Sequence, residues 1–223
     1  MAPFFWPITA ALVGYLLGSI SFAVIIARRY GVDILQAGSG NPGATNVKRV
    51  CGRKPGNLVF ALDVLKGLTA SGWPQLAVWL AAAVQTGGDL AGLADSGTLR
   101  NAQLAGFVGA VLGHCFSVFL RFKGGKGVAV SAGGLLGAMP VCFAISGVVW
   151  LVAYRFGRYV SVASLIAGAA FPVAAYLYYG GACDPRFWLG VAIAVFFIFT
   201  HRSNIIRLLR GEESGFKKGD RRE

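Results

Sequence analysis

Residues 127–155 read GVAVSAGGLLGAMPVCFAISGVVWLVAYR. These 29 residues are almost uncharged, with Arg155 at the very end and Pro140 near the middle. A membrane-spanning helix needs about 20 apolar residues. The stretch is therefore one long helix kinked at the proline or two short ones joined there. The flanking charges decide. Residues 28–56 hold six bases (Arg28, Arg29, Lys48, Arg49, Arg53, Lys54) against Asp33, and 121–126 hold Arg121, Lys123 and Lys126. The 155–158 turn holds Arg155 and Arg158, and seven bases follow His201. Residues 83–101 and 181–186 carry one base each and three acids between them. Two crossings by 127–155 put every basic segment on one side, which the positive-inside rule favours. Other apolar stretches lie at 4–27, 57–82, 102–120, 160–180 and 186–200. The expectation is an all-α integral membrane protein of seven transmembrane helices, two of them short and flanking Pro140, with the N-terminus outside and the C-terminus cytoplasmic. Two helices of about 14 residues rise only about 21 Å each, short of a ~30 Å core, so the pair is expected inside the bundle or at a thinned bilayer.

Composition agrees with this class. Of 223 residues, 56% are apolar and 13% charged, against about 25% charged in soluble domains. The mean hydropathy of +0.63 excludes a soluble globular enzyme and a disordered chain. The 32 glycines suit close helix packing in lipid. The net charge of +12 sits at the ends of apolar segments, which fits topology, lipid headgroups or an anionic substrate and argues against nucleic acid. Cys51, Cys115, Cys142 and Cys183 have no paired or metal-type spacing and read as packing residues. Residues 1–27 lack Lys and Arg, so the segment reads as a retained first span and not a signal peptide. One membrane-embedded domain is expected over 1–211, followed by a basic polar cytoplasmic tail over 212–223.

Four polar clusters stand out, all on the expected cytoplasmic side. The first runs Gly38-Ser39-Gly40-Asn41-Pro42-Gly43-Ala44-Thr45-Asn46, with Arg49 following. Its glycines let the backbone approach a ligand, and such loops can cradle an anion. No Gly-Lys-Ser/Thr closes it, so it is not a Walker loop. A flexible turn is the plain alternative. The second, Lys123-Gly124-Gly125-Lys126-Gly127, places bases beside open backbone near a helix start and favours phosphate. A positive-inside anchor competes, mainly for Lys123. In the third, Ser161 and Ser164 share a helix face, although, taken alone, a serine that bonds the preceding turn's carbonyl or caps the helix is the better explanation. In the fourth, His201 and Asn204 share a face, with Arg207 or Leu208 next, at the inner end of the last span. Asp63 and Lys66, three apart in the second span, read first as a structural ion pair.

No Gly-x-Ser-x-Gly elbow, His-Glu-x-x-His or second carboxylate near Asp63 occurs, so neither a metal centre nor a carboxylate pair is expected. The inventory suits phosphate groups held at the membrane edge with apolar walls for a lipid tail.

The runs Gly38–Asn46 with Arg49, Phe122-Lys123-Gly124-Gly125-Lys126-Gly127-Val128-Ala129 and His201-Arg202-Ser203-Asn204-Ile205 resemble the bacterial PlsY family, as do Leu62-Asp63-Val64-Leu65-Lys66-Gly67 and Gly113-His114. The resemblance spans about residues 10–211; the loops 84–101 and 181–186 and the tail after 211 match nothing specific. It implies transfer of a fatty acyl group from acyl phosphate to the 1-hydroxyl of glycerol 3-phosphate, giving lysophosphatidate and inorganic phosphate. This is the first step of phospholipid synthesis, at the cytoplasmic face of the bacterial inner membrane. It further implies no cofactor or metal and no acyl-CoA or acyl-carrier protein as direct donor. Ser39 and the Gly38–Asn46 loop (Gly38, Gly40, Asn41, Gly43, Thr45, Asn46) would hold phosphate, as would Lys123, Gly124 and Gly125. Arg49 and Lys126 would neutralise charge. Ser161, Ser164, His201 and Asn204 would position phosphate and hydroxyl groups. Ser39, Arg49, Lys126, His201 and Asn204 would form the catalytic set. The base is His201 or a substrate phosphate oxygen, the latter slightly favoured because no carboxylate is visible to orient His201. A transporter for a phosphorylated anion is the competing reading, but it calls for polar breaks near the bilayer midplane, and the motifs lie at span ends.

Overall fold

The computed structural model describes residues 4–84 and 92–215. Among these the chain is helical, with no named strand. It groups into two compact units, 1–139 and 140–223.

The first unit contains α1 (Phe5–Ser19), α2 (Phe22–Arg29), α3 (Ala44–Val50), α4 (Arg53–Ala83), α5 (Ser96–Cys115) and α6 (Val128–Ala138). Glycines let its long helices touch backbone to backbone. A Cβ on Gly14 or Gly18 of α1 would run into the Gly106 or Ala110 carbonyl of α5. One on Gly113 of α5 would run into Tyr15 of α1. Gly67 of α4 meets Val130 of α6 in the same manner, and Gly133 of α6 meets Val64. In lipid no hydrophobic force drives helices together, so such close packing has to hold them.

The first apolar stretch is interrupted at Ile20, between α1 and α2. The carbonyls exposed by this break are used. Ser117 Oγ donates to Ser19 O at 2.6 Å, and Lys66 Nζ donates to Ile20 O at 2.8 Å. Helix ends leave orphan carbonyls that must find donors where water is absent.

The chain does stop being helical before Pro140. Met139 adopts a non-helical φ of −146° and ψ of 63°, and the next helix starts on the proline itself. The two helices around Pro140 are unequal, 11 residues against 18, and not the matched pair of about 14 expected. The reason is local: left-handed Gly127 and non-helical Met139 each take one residue from α6, whereas a proline fits the first turn of the following helix without losing a hydrogen bond, and that helix runs on past 155 to Gly157.

The second unit contains α7 (Pro140–Gly157), α8 (Val160–Tyr179), α9 (Pro185–Thr200) and α10 (Arg202–Leu209). Gly190 of α9 packs on Pro172 of α8, and Gly168 of α8 on the Phe197 ring of α9. Asp184 caps α9, pairs with Arg186 through two bonds of 2.8 and 2.6 Å, and the guanidinium lies 3.5 Å from the Tyr179 ring centre. The axes of α9 and α10 bend by 58° at His201.

Among the described residues, three segments are long and apolar enough to cross a membrane: Phe5–Arg29 through its break, Pro140–Gly157 and Val160–Tyr179. The bent α9–α10 pair makes a fourth if it is one span. Of the expected loop 84–101, residues 96–101 belong instead to α5; residues 85–91 of that loop and 216–223 of the expected tail lie outside the described residues. Of the cysteines, Cys115 and Cys142 are buried, whereas Cys183 is exposed and does not pack.

Gly113→Val should lower the stability of the detergent-purified protein by about 1–3 kcal/mol, because the added side chain forces α1 from α5. Thermal unfolding checks this; an unchanged midpoint would mean that the α1–α5 approach does not need the glycine.

Candidate active site

In the first unit, a buried charge cluster organises the surroundings of two motifs. Asp63 and Lys66 form the expected ion pair at 2.8 Å, both nearly inaccessible. Lys66 Nζ also lies 2.9 Å from His114 Nδ1 and donates to Ile20 O. The ammonium thus hydrogen-bonds Ile20 O and His114 Nδ1 and pairs by charge with Asp63, whose buried Oδ1 makes no hydrogen bond of its own. Accepting from Lys66 makes His114 Nδ1 the unprotonated nitrogen and puts the ring hydrogen on Nε2. The Gly124-Gly125 backbone lies against this histidine. Gly125 N–H donates to His114 O at 3.0 Å, and a Cβ on Gly125 would strike His114 Nε2. A Cβ on Gly124 would strike the His114 carbonyl. The glycines expected to offer open backbone to phosphate thus also serve close packing on α5, and Gly125 has its N–H already engaged.

The turn into this loop is tight. Arg121 and Phe122 both have left-handed φ, 52° and 59°, held by Phe122 N–H to Ser117 O at 2.8 Å and Lys123 N–H to Leu120 O at 3.1 Å. Lys123 is exposed and Lys126 half-buried. His114 was not among the expected site residues. A histidine inside an apolar span was the signal that could have found it.

The Gly38–Asn46 loop is built around Asn46, which is buried. Its Oδ1 accepts from Ser39 N–H at 3.0 Å, and its Nδ2 donates to Ala37 O at 2.9 Å and to Ile34 O at 3.4 Å. Asn46 therefore shapes the loop from inside. Gly38 and Gly40 take positive φ, 61° and 69°, which side chains rarely adopt. Gly43 precedes α3 and donates its N–H to Asn41 O at 2.9 Å. Ser39 and Arg49 face outward; Asn41 and Thr45 are half-buried.

In the second unit, His201 sits at the 58° bend and is buried. Its Nδ1 lies 2.9 Å from Phe197 O. A carbonyl only accepts, so Nδ1 carries a hydrogen. A backbone carbonyl thus orients the ring in place of a carboxylate. Ser164 Oγ donates to Val160 O at 2.7 Å and accepts from Trp150 Nε1 at 3.2 Å. That is the bond to the preceding turn that sequence offered as the alternative to a ligand role.

Ser161, Asn204 and Arg207 come together on a group that the sequence reading missed. The Glu213 carboxylate accepts from Ser161 Oγ at 2.9 Å, Asn204 Nδ2 at 2.6 Å and Arg207 Nε at 2.8 Å. Burial pushes this carboxyl up, but the hydrogen bonds from Asn204, Arg207 and Ser161 and the Arg207 charge outweigh burial and hold it below its ordinary range. The tail expected to be purely polar and basic from 212 begins with a residue bound back to α8 and α10. The acid pair Glu212-Glu213, just after the last helix, was the available signal.

The family model for glycerol-3-phosphate acyltransferases matches residues 8–211. The chain belongs to the glycerol-3-phosphate acyltransferase family. A glycerol-3-phosphate acyltransferase of Burkholderia pseudomallei (strain K96243) is 40% identical over 206 residues, 92% of this chain and 93% of its own length. One from Burkholderia thailandensis is 40% identical over 214 residues, 95% and 97%. The crystal structure of PlsY (YgiH), described as an integral membrane glycerol 3-phosphate acyltransferase in its glycerol 3-phosphate form, is similar with a TM-score of 0.75 at 37% identity, covering 97% of this chain and 96% of that one. Its lysophosphatidic acid form gives 0.73 at 38% identity, covering 95% of each. The residues expected to form the catalytic and binding sets are divided between the two units. Ser39, Arg49 and Lys126 lie in the first, and Ser164, His201 and Asn204 in the second.

Asn46→Ala should remove the acceptor that holds the Ser39 amide. Hydrogen exchange at Ser39 should then speed up roughly 10- to 100-fold, from about 1–3 kcal/mol of lost bonding. An unchanged rate would mean that Asn46 does not hold the loop.

Proposed function

We propose that the protein transfers a fatty acyl group from acyl phosphate to the 1-hydroxyl of glycerol 3-phosphate, releasing lysophosphatidate and inorganic phosphate. What carries this reading is the likeness, over nearly the whole chain, to a structure described as the glycerol 3-phosphate form of an acyltransferase. We place the reaction at the cytoplasmic face of a bacterial inner membrane, in a seven-span domain over 1–211 with the N-terminus outside. Acyl-CoA and acyl-carrier protein are not direct donors in this reading, and the chemistry needs no cofactor.

The hydroxyl oxygen attacks the acyl carbonyl carbon. A new carbon–oxygen ester bond forms, and the bond from that carbon to the phosphate oxygen breaks. Acyl phosphate is a mixed anhydride with a good leaving group, so alignment and charge neutralisation do most of the catalysis. Arg49 and Lys126 neutralise phosphates that would otherwise repel each other. The Gly38–Asn46 loop, with Ser39 at its exposed crest, contacts substrate phosphate, and Lys123 adds positive potential beside it. Ser161, Ser164, His201 and Asn204 position phosphate and hydroxyl groups. His201 helps to hold the attacking hydroxyl in line with the carbonyl. The proton passes to an oxygen of the leaving phosphate.

Purified protein in lipid should release phosphate from acyl phosphate only when glycerol 3-phosphate is present, with an equal amount of lysophosphatidate formed. Release without an acceptor, or none from folded protein, would refute the reaction. Lys126→Ala should lower kcat/KM roughly 10²-fold, about 3 kcal/mol of transition-state stabilisation; near-normal turnover would remove Lys126 from the site. His201→Ala should raise KM and keep measurable turnover if phosphate takes the proton, whereas complete loss in folded protein would make His201 the base.

A further inference from the structure

Helix α10 turns away from α9 by 58° at His201, and its two sides differ. His201 and Asn204 are buried on one side. Arg202, Ile206, Leu209 and Arg210 lie on the other and are exposed, Ile206 by 50% and Leu209 by 84%. This side continues an apolar stripe on α9, where Val195 and Ile198 are exposed. From Val195 through Ile198 and Arg202 to Ile206 and Leu209 the steps are three or four residues, so one stripe passes through the bend. Helix α9 has 16 residues and rises about 24 Å, short of a ~30 Å hydrocarbon core. A bend at the end of so short a span falls at the bilayer boundary. Arg202 fits that level: its guanidinium lies 4.6 Å from the Phe199 ring centre and donates to Phe199 O at 3.0 Å, folded back along its own chain. Glu213 takes up Arg207, so the exposed charge comes from Arg202 and Arg210. Glu212, the next acid in the chain, leaves that face net positive.

We propose that α10 is an interfacial helix that docks on an anionic bilayer surface, with Ile206 and Leu209 entering the headgroup boundary and Arg202 and Arg210 pairing with lipid phosphates. Apolar side chains set among arginines on one face suit a helix lying in a membrane surface. Charge complementarity and the continuity with α9 name the occupant, because an anionic lipid surface offers apolar and negative groups at one level. The docking has a consequence for turnover, and this part rests on the acyltransferase reading above. His201 and Asn204 lie on the opposite side of the same two-turn helix, so lipid contact steadies them from behind. Anionic lipid is thereby an activator bound outside the site.

The test uses the full-length protein in phosphatidylcholine vesicles with and without about 30% phosphatidylglycerol. Leu209→Cys, in a background with Cys51→Ala and Cys183→Ser, carries a thiol-linked fluorophore. Lipids brominated in the acyl chain should quench it, and aqueous iodide should not. Quenching by iodide alone would overturn the docking. Quenching by neither would also overturn it, since another protein surface, such as a second copy, would then cover residue 209. The kcat at saturating glycerol 3-phosphate, where repulsion of that substrate by the surface no longer counts, should rise about fivefold with phosphatidylglycerol. Arg202→Gln combined with Arg210→Gln should match wild type in phosphatidylcholine and lose the rise. A wild-type rate indifferent to lipid charge, or a double variant that keeps the full rise, would overturn the activation. Should the double variant fail to fold, the wild-type rates and the fluorophore decide. Wild-type protein that turns over no glycerol 3-phosphate in either bilayer would refute the acyltransferase reading, while the quenching still judges the docking.

Discussion

A single ammonium group, Lys66 Nζ, holds the first unit together at the point where its helices are least regular. It meets Asp63, His114 Nδ1 and the Ile20 carbonyl at 2.8, 2.9 and 2.8 Å. A charge this deep is expensive, and it is offset by the Asp63 counter-charge and by hydrogen bonds to Ile20 O and His114 Nδ1. Each partner belongs to a different feature. Ile20 is the break between α1 and α2, Asp63 is on α4, and His114 is on α5 against the Gly124-Gly125 backbone. Removing one partner would strand the others, a loss of about 3–5 kcal/mol for a buried pair. The loop that carries Lys126 therefore depends on residues that have no part in the chemistry.

The same economy of polar groups appears wherever the backbone is irregular. Asn46 satisfies three backbone groups inside the Gly38–Asn46 loop. Phe197 O fixes the His201 ring, and Glu213 gathers donors from α8 and α10. Each is a polar atom serving another polar atom in surroundings with little water. In the proposed reaction, such preorganisation would align groups before substrate arrives, which is the form that catalysis takes when the leaving group is already good.

Much of this was legible in sequence. The membrane class follows from charge and hydropathy, the helix break before Pro140 from proline chemistry, and the Asp63–Lys66 pair from its spacing inside an apolar segment. The bond from Ser164 to the preceding turn also matched an ordinary alternative. What stayed hidden were contacts between residues far apart in the chain. Lys66 and His114 are 48 positions apart, and Ser161 and Glu213 are 52. No periodicity links such pairs. Asn46 illustrates a second limit: a polar side chain in a glycine-rich loop reads the same whether it faces a ligand or staples the loop. The glycines of the Lys123–Gly127 run show the same ambiguity, because open backbone for an anion and close approach to His114 call for the same residue. The lengths of the helices around Pro140 were misjudged because the proline begins the second helix, which runs on to Gly157, while Gly127 and Met139 bound the first.

The central claim is that the site aligns an acyl carbonyl with a hydroxyl and lets phosphate leave. Acyl phosphate carrying ¹⁸O in the oxygen that bridges carbon and phosphorus tests it directly. The account predicts that, after turnover with glycerol 3-phosphate, all bridging label is found in inorganic phosphate and none in the lysophosphatidate. Label recovered in free fatty acid, with a second phosphate on the glycerol, would mean attack at phosphorus and would contradict it.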